Sequence, residues 1–388
     1  MSWAADNRQY VSMCDGVGFS GQLSLSYNTR MISVSDGARD PRFHDLPGYP
    51  NLAAPSQTAS DTRYYGFGTL ALDGFLYQFM STFNRPFHVD NLRSKASSDV
   101  MRFNGVKLIY SPDQGRTWHN QDGSTPIVWD SWDRRSRDTM VFFEEDQEAF
   151  SLLSVLQMGR NYGFNRDGYV YVYAPNGNTE GSMNELVMFR VPKARLLDRH
   201  FYEYFAGRQD GGAARWTRDI ESRAVVHTFP RGWVNKLVHP YAWQPSVVYN
   251  DPLGLYMMAN WATGCTPEGV WFSKPSYLGF WVASDPWGPW MQIHEDTSWR
   301  PAGDVNARAY QPQIAPKWIA ADGRSFWLVW TDFQGATNEE LKRFWAEYER
   351  KASANQISEG DVIENAKMMR KFMPYYGFNV QRIDLEIA

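Results

Sequence analysis

The sequence predicts an all-β chain, a five-bladed β-propeller with a C-terminal helical insertion in the last blade. Three observations predict it: a strand–turn–strand pattern that recurs five times, a turn motif of a kind found between blade strands, and a single helical interruption at residues 337–372. All 388 residues are read as one domain, since propellers and barrels of this length fold as single units.

The recurrent segments are WAADNRQYVSMCDG (3–16), GTLALDGFLYQFMST (68–82), NYGFNRDGYVYVYAPNG (161–177), QPSVVYNDPLGLYMMANWATG (244–264) and QPQIAPKWIAADGRSFWLVWTDFQG (311–335). Each places a turn signal near its middle: Asp6-Asn7, Asp73-Gly74, Asp167-Gly168, Asp251-Pro252 and Asp322-Gly323. The flanking residues are aromatic or β-branched, as strands require. Two segments open alike, with Ala242-Trp243-Gln244-Pro245 and Ala309-Tyr310-Gln311-Pro312. Spacing between units is irregular, which surface insertions tolerate.

The run Ser111-Pro112-Asp113-Gln114-Gly115-Arg116-Thr117-Trp118 fits the Asp-box, S-x-D-x-G-x-T-W, of sialidase-type propellers. Its physics is local: the Asp binds turn amides, the Gly permits the backbone, and the Trp packs between strands. Asp113 is therefore read as structural. A looser echo runs from Ser284 to Trp290. In the insertion, Thr337 stands three before Glu340, and Leu341, Phe344, Trp345 and Tyr348 follow at helical spacing. A second helical stretch opens at Ser358, and the pair is expected to lie against the propeller's side. The final GFNVQRIDLEIA reads as a strand that suits ring closure by mixing N- and C-terminal strands in one blade.

Composition excludes several functions. The net charge is −4 and the basic residues are scattered, so nucleic acid is not a partner. No apolar run is long enough to span a membrane. Cys14 and Cys265 form neither a disulfide framework nor a zinc signature and read as buried free thiols, with a single bridge between them as the alternative. No cofactor is expected; Glu144, Glu145, Asp146 and Glu148 read as a solvated loop, with a structural calcium ion as the alternative. Aromatic residues make up 16% of the chain, a figure that suits either strand-rich architecture or stacking on sugar rings.

In a propeller the innermost strands line a central channel. The start of each first strand and the end of each second strand reach the same face. Those positions supply Tyr65, Asn161, Tyr162, Trp243, Gln244, Tyr310 and Gln311 at strand starts, and Cys14, Asp15, Ser81, Asn260, Trp261, Thr331 and Asp332 at strand ends. His239 precedes the Trp243-Gln244 start and joins them. Rings stack and amides bond hydroxyls, so this set predicts a polysaccharide or oligosaccharide partner. Glycoside hydrolysis needs two carboxyl groups. Asp15 and Asp332 stand at equivalent ends of second strands in blades one and five, which are neighbours in a closed ring. A Ser-His-Asp order, a P-loop and zinc spacing are all missing from the sequence, so no metal ligands are assigned.

The opening W-x-x-D-x-x-x-Y-x-x-x-x-D-G-x-G-F, the run LQMGRNYGFNRDGYVYVYAPNG, the FRVPK and YEYFAG segments and the late ASDPWGPW together resemble a propeller family long described only as a domain of unknown function. Some of its members are endo-D-arabinanases, which cut the furanose arabinan of bacterial cell walls. The resemblance covers most of the chain outside the helical insertion. It implies a five-bladed fold, a furanoside substrate, and a secreted or periplasmic location, although no signal peptide is visible in MSWAADNRQY. Asp15 matches the family's acidic residue. The resemblance also implies an Asp ahead of Trp3, which here would stand before Met1. The expectation is thus an arabinanase-like glycoside hydrolase, and the rival is a non-catalytic propeller that binds glycan or protein. A sialidase-like enzyme would need an arginine trio at strand edges, which the sequence does not offer.

Overall fold

The computed structural model describes residues 1–16, 27–53, 62–83, 102–177, 182–230, 237–239, 241–264, 276–301, 309–333, 339–354, 356–372 and 376–387. They form five antiparallel sheets, each from one consecutive stretch of chain: a five-bladed β-propeller. Blade 1 holds β1 (Ser2–Trp3), β2 (Gln9–Gly16), β3 (Tyr27–Ser35) and β4 (Arg42–Asp45) in order, with β5 (Leu52–Ala53) also on β3. Blade 2 holds β6 (Tyr65–Leu72), β7 (Phe75–Phe83) and β8 (Phe103–Ser111), with β9 (His119–Asn120) and β10 (Phe142–Phe143) both on β8. Blade 3 runs β11 (Ser154–Val155), β12 (Tyr169–Pro175), β13 (Glu185–Pro192), β14 (Glu203–Arg208) and β15 (Ala214–Thr217), with β16 (His227–Thr228) on β13. Blade 4 pairs β17 (Leu237–His239) and β18 (Ser246–Asn250) with β19 (Leu255–Gly264), followed by β20 (Ser276–Ala283) and β21 (Met291–Trp299). Blade 5 is β22 (Ala309–Ile319), β23 (Ser325–Phe333) and β24 (Tyr376–Asp384).

The strands read as near-continuous apolar runs because both faces of each sheet are covered by a neighbouring blade. In β7, Phe79 joins the cluster shared with blades 3 and 4, while adjacent Met80 joins the cluster shared with blade 1. Period-two alternation thus sends successive side chains into different cores. The predicted hairpins appear where β1–β2, β6–β7, β18–β19 and β22–β23 stand. In the β6–β7 turn, Asp73 and Gly74 have φ of 49° and 87°, the left-handed pair that a two-residue hairpin demands.

Two expectations need correction. The third repeat is not a hairpin over 161–177. Arg160–Tyr162 is a 3₁₀ turn in which Asn161 and Tyr162 take φ of 55° and 61°, and the inner strand is upstream, at β11. The Gly-, Asn- and Asp-rich run NYGFNRDG favours that turn, while the branched run SLLSVL supplies the strand. Among the described residues, ring closure likewise shows no strand exchange. β1 pairs with β2 and β24 with β23, and blades 5 and 1 meet through Met1, Ile32, Val34, Ala38, Ala315, Trp318 and Val329.

The Asp-box behaves as predicted. Thr117 and Arg116 amides donate to Asp113 Oδ1 at 2.8 and 3.0 Å, Thr117 Oγ1 donates to Oδ2 at 2.8 Å, and Gly115 N donates to Ser111 Oγ at 2.7 Å. Burial opposes the Asp113 charge, but the hydrogen bonds from Thr117, Ser111 and Arg116 outweigh it and hold the carboxyl below its usual range. Trp118 is buried edge-on against Tyr49 of blade 1, with ring centres 5.1 Å apart. The echo at Ser284–Trp290 docks backward in the same way: Pro286 O accepts from Tyr173 of blade 3 at 2.6 Å.

The insertion is two helices, α1 (Glu339–Ser353) and α2 (Glu359–Phe372), joined by a Trp345–Asn365 hydrogen bond of 3.3 Å and a Lys351–Asp361 pair at 2.5 Å. Thr337 lies outside the described residues, but Ser358 caps α2 through Asp361 N at 3.2 Å. The hairpin leaves after β23 and returns into β24. Among the described residues, no helix is long and apolar enough to cross a membrane. Cys14 is half-buried rather than buried, and Cys265 lies outside the described residues.

Candidate functional site

The hairpin turns mark one end of the ring, and polar links tie them into a girdle. Lys317 Nζ donates to Asn7 O at 2.7 Å, Asn250 Nδ2 to Gly323 O at 2.8 Å, and Arg166 pairs with Asp251 at 3.2 Å. Gly74 N donates to Asn161 Oδ1 at 2.9 Å, and Arg160 reaches Ala5 O. Ala71 N donates to Ser2 Oγ at 2.8 Å, completing the circuit. Asn161 and Tyr162 therefore sit at the girdle end, not at the opposite mouth where the sequence reading put them. Tyr162 is 1% exposed and its hydroxyl accepts from Tyr171 N at 3.3 Å, so it is core.

The opposite mouth is lined differently. Tyr65, Phe67, Phe83 and Phe103 of blade 2 meet Trp243 of blade 4, with Leu152, Met183 and Cys14 packed alongside. Tyr65 and Phe67 stack at 5.5 Å, Phe83 and Phe103 stack at 4.3 Å, and Phe103 meets Trp243 edge-on at 5.5 Å. Gly66 makes this wall: a Cβ there would overlap the Gln78 amide and the Ser12 hydroxyl of blade 1, so the strand lies tight on that side and both flanking rings project to the other. Phe67, Phe83 and Trp243 are only half-buried, leaving ring surface open. Of the rings at this mouth, the sequence reading named Tyr65 and Trp243. The Y-G-F-G start of β6, with aromatics at alternate positions, was the available signal for Phe67.

Beside Trp243 stands an amide pair. Gln311 Nε2 donates to Gln244 Oε1 at 2.6 Å across the joint between blades 4 and 5. Both residues are left-handed, with φ of 46° and 48°, at the same place in the two related A-W-Q-P and A-Y-Q-P starts. Non-glycine residues pay about 1 kcal/mol or more for that conformation, and such strain gathers at ligand sites. In β22 the pairing register shifts between Tyr310 and Gln313, a bulge that re-aims Gln311. Gln244 is 5% exposed, and its Nε2 has no hydrogen-bond partner.

Asn260 and Trp261 are brought near but are not available. Asn260 is fully buried, accepting from Trp281 Nε1 at 2.8 Å and donating to Tyr241 O at 3.3 Å. Trp261 is fully buried edge-on against Tyr310 at 4.8 Å. Mid-strand side chains of second strands wedge between blades, whereas Cys14 and Phe83, near strand ends, reach the mouth. Asp15 and Asp332 are at such ends. Cys14 pairs with Thr29 and Gly16 with Tyr27, while Asp332 lies between Ala309 and Gly377. The blades carrying them are neighbours. Their side chains, like that of His239 on β17, lie outside what the structure describes.

The acidic cluster is only in part a solvated loop: Glu144 and Asp146 are exposed, but Glu145 is buried. Glu145, with 1% of its side chain exposed, pairs with Arg199 at 2.7 Å and Arg137 at 3.5 Å; Glu148 pairs with Arg102 at 3.1 Å and Asp146 with Arg223 at 3.6 Å. Buried charge requires such partners. Among the described residues, no group of three or more His, Cys, Asp or Glu is placed to hold a metal ion.

No family model and no curated protein matches the chain. Similar solved structures include a xylan β-1,4-xylosidase from Bacillus halodurans (11% identity, TM-score 0.42, covering 85% of this chain and 48% of that one). Others are the catalytic domain of an α-L-arabinofuranosidase from Coprinopsis cinerea (8%, 0.40, 84% and 81%) and an endo-arabinase from Bacteroides thetaiotaomicron (12%, 0.38, 82% and 87%). The chain spans about half the length of the xylosidase. Likeness this distant carries no argument about activity.

Proposed function

We propose that the chain is a glycoside hydrolase acting on a furanose-containing polysaccharide, arabinan foremost, outside the cytoplasm. What supports this is the convergence at one mouth of half-buried rings, a strained amide pair and two Asp-bearing strand ends in neighbouring blades. The rings offer flat faces to sugar C–H groups. Gln244 and Gln311 offer amides to hydroxyls. Asp15 acts as acid, base or nucleophile, and Asp332 is the second carboxylate. Two carboxylates facing each other keep one proton between them, so one is poised to protonate the leaving oxygen while the other attacks or activates water.

The rival, a non-catalytic glycan- or protein-binding propeller, draws on the described side chains of the mouth, which are rings, amides and a thiol. Incubation with D-arabinan and a panel of plant arabinans, read by mass spectrometry of soluble products, separates the two. Released oligosaccharides that vanish with Asp15→Asn support the hydrolase. Retardation in a glycan gel without any product supports the binder.

A further inference from the structure

Trp132 is the one exposed tryptophan among the described residues, at 45%. A lone exposed apolar side chain usually needs no explanation, but the setting of this one does. It sits on a turn closed by Arg134 N donating to Ser131 O at 2.9 Å, with Ser131 Oγ donating to Asp133 at 2.6 Å. The base of the turn is fixed. Asp130 forms a buried ion pair with Lys107 at 2.9 Å, and its carbonyl accepts from Tyr64 Oη at 2.9 Å and Arg135 Nε at 3.3 Å. In the same loop Trp129 turns inward against Tyr64, with ring centres 5.0 Å apart, while Trp132 turns out.

The turn is also tied to the mouth. Arg135 Nη1 donates to Phe83 O at 2.5 Å and lies over the Tyr64 ring at 4.9 Å. Phe83 stacks on Phe103, which in turn meets Trp243. A series of rings therefore runs from Trp243 through blade 2 to Phe83, and the turn that carries Trp132 is anchored to the last of them through Arg135. Holding an indole in place before the ligand arrives lowers the entropy lost on binding.

We infer that Trp132 is a remote platform on which a sugar unit of the polysaccharide stacks, several units from the bond that is cut. This rests on the hydrolase reading and extends it: the substrate is a long chain laid across blade 2. A short fragment filling only the channel mouth does not reach the platform.

The experiment compares wild type, Trp132→Ala and Trp132→Phe on soluble D-arabinan and on arabinan fragments of a few units. Affinity electrophoresis measures polymer binding, and initial rates are taken on both substrates. Trp132→Ala is expected to weaken polymer binding and raise KM on polymer about fivefold, with kcat and all short-fragment kinetics unchanged. Trp132→Phe recovers most of the loss. Equal loss on short and long substrates overturns the platform, as does a Trp132→Ala protein that matches wild type on polymer. A wild type that neither binds nor cleaves any of these glycans overturns the hydrolase reading and the platform with it.

Discussion

The two ends of the propeller are built on opposite rules. At the girdle end, hairpin turns from all five blades satisfy one another's polar groups, and left-handed positions fall on residues suited to turns, such as Asn7, Asp73 and Gly74. At the mouth, rings are left half-buried and left-handed backbone falls on two glutamines that gain nothing intrinsic from it. One end holds the ring together, and the other carries open ring surface and strained backbone. The same backbone repeat serves both because a blade's strands run straight from one end to the other.

Substitutions at the two ends should therefore fail differently. The largest effect is expected for Asp15→Asn, which loses about 10²–10⁴-fold in kcat while the thermal melt stays put; a parallel fall in melting temperature would move Asp15 to the structural side. Trp118→Ala reverses the signature. Emptying that buried site should cost about 3–5 kcal/mol in urea unfolding, with specific activity of the folded fraction intact. Trp243→Ala, at the mouth, should raise KM about fivefold with little change in stability. A smaller effect comes from His227, whose imidazole is pushed down to about 4 by burial, with Arg208 adding. The depressed value means the folded state resists protonation. Its contribution is intact above the ordinary value of 6.5 and is lost as pH falls from there through about 4, so a pH series of unfolding midpoints should flatten in His227→Gln over that window. Smallest is Asn161→Ala in the girdle, about 1 kcal/mol in stability and none in activity.

The sequence carried the fold well wherever local chemistry and blade geometry agreed. Asp73-Gly74, the Asp-box and the Leu341–Tyr348 helical spacing each pointed to the element that forms. The third blade was misread because NYGFNRDG mixes aromatic residues, a strand signal, with Gly, Asn and Asp, a turn signal, and the turn won. Trp243, Gln244 and Gln311 come together at the mouth as their A-x-Q-P repeats, which mark equivalent starts, suggested. Asn260 and Trp261 are equally polar or aromatic in the sequence, yet they lie inside β19 short of its end at Gly264 and are fully buried, as is Ala262 after them. That offset depends on how deeply blades interleave, which no local pattern encodes. Phe83 and Phe103 were missed for the same reason, because their role comes from a contact across the ring.

The joint between blades 5 and 1 is the one that no backbone connection crosses. Asp15 and Asp332 stand on either side of it. Strand pairing fixes each within its own blade, but the gap between the two backbones is gauged by Met1, Ile32, Ala315, Trp318 and their neighbours. In glycosidases the carboxyl separation decides between direct displacement by water and a covalent intermediate. On the hydrolase reading proposed above, apolar side chains at the seam set the backbone spacing of the two strand ends, like shims in a split collar.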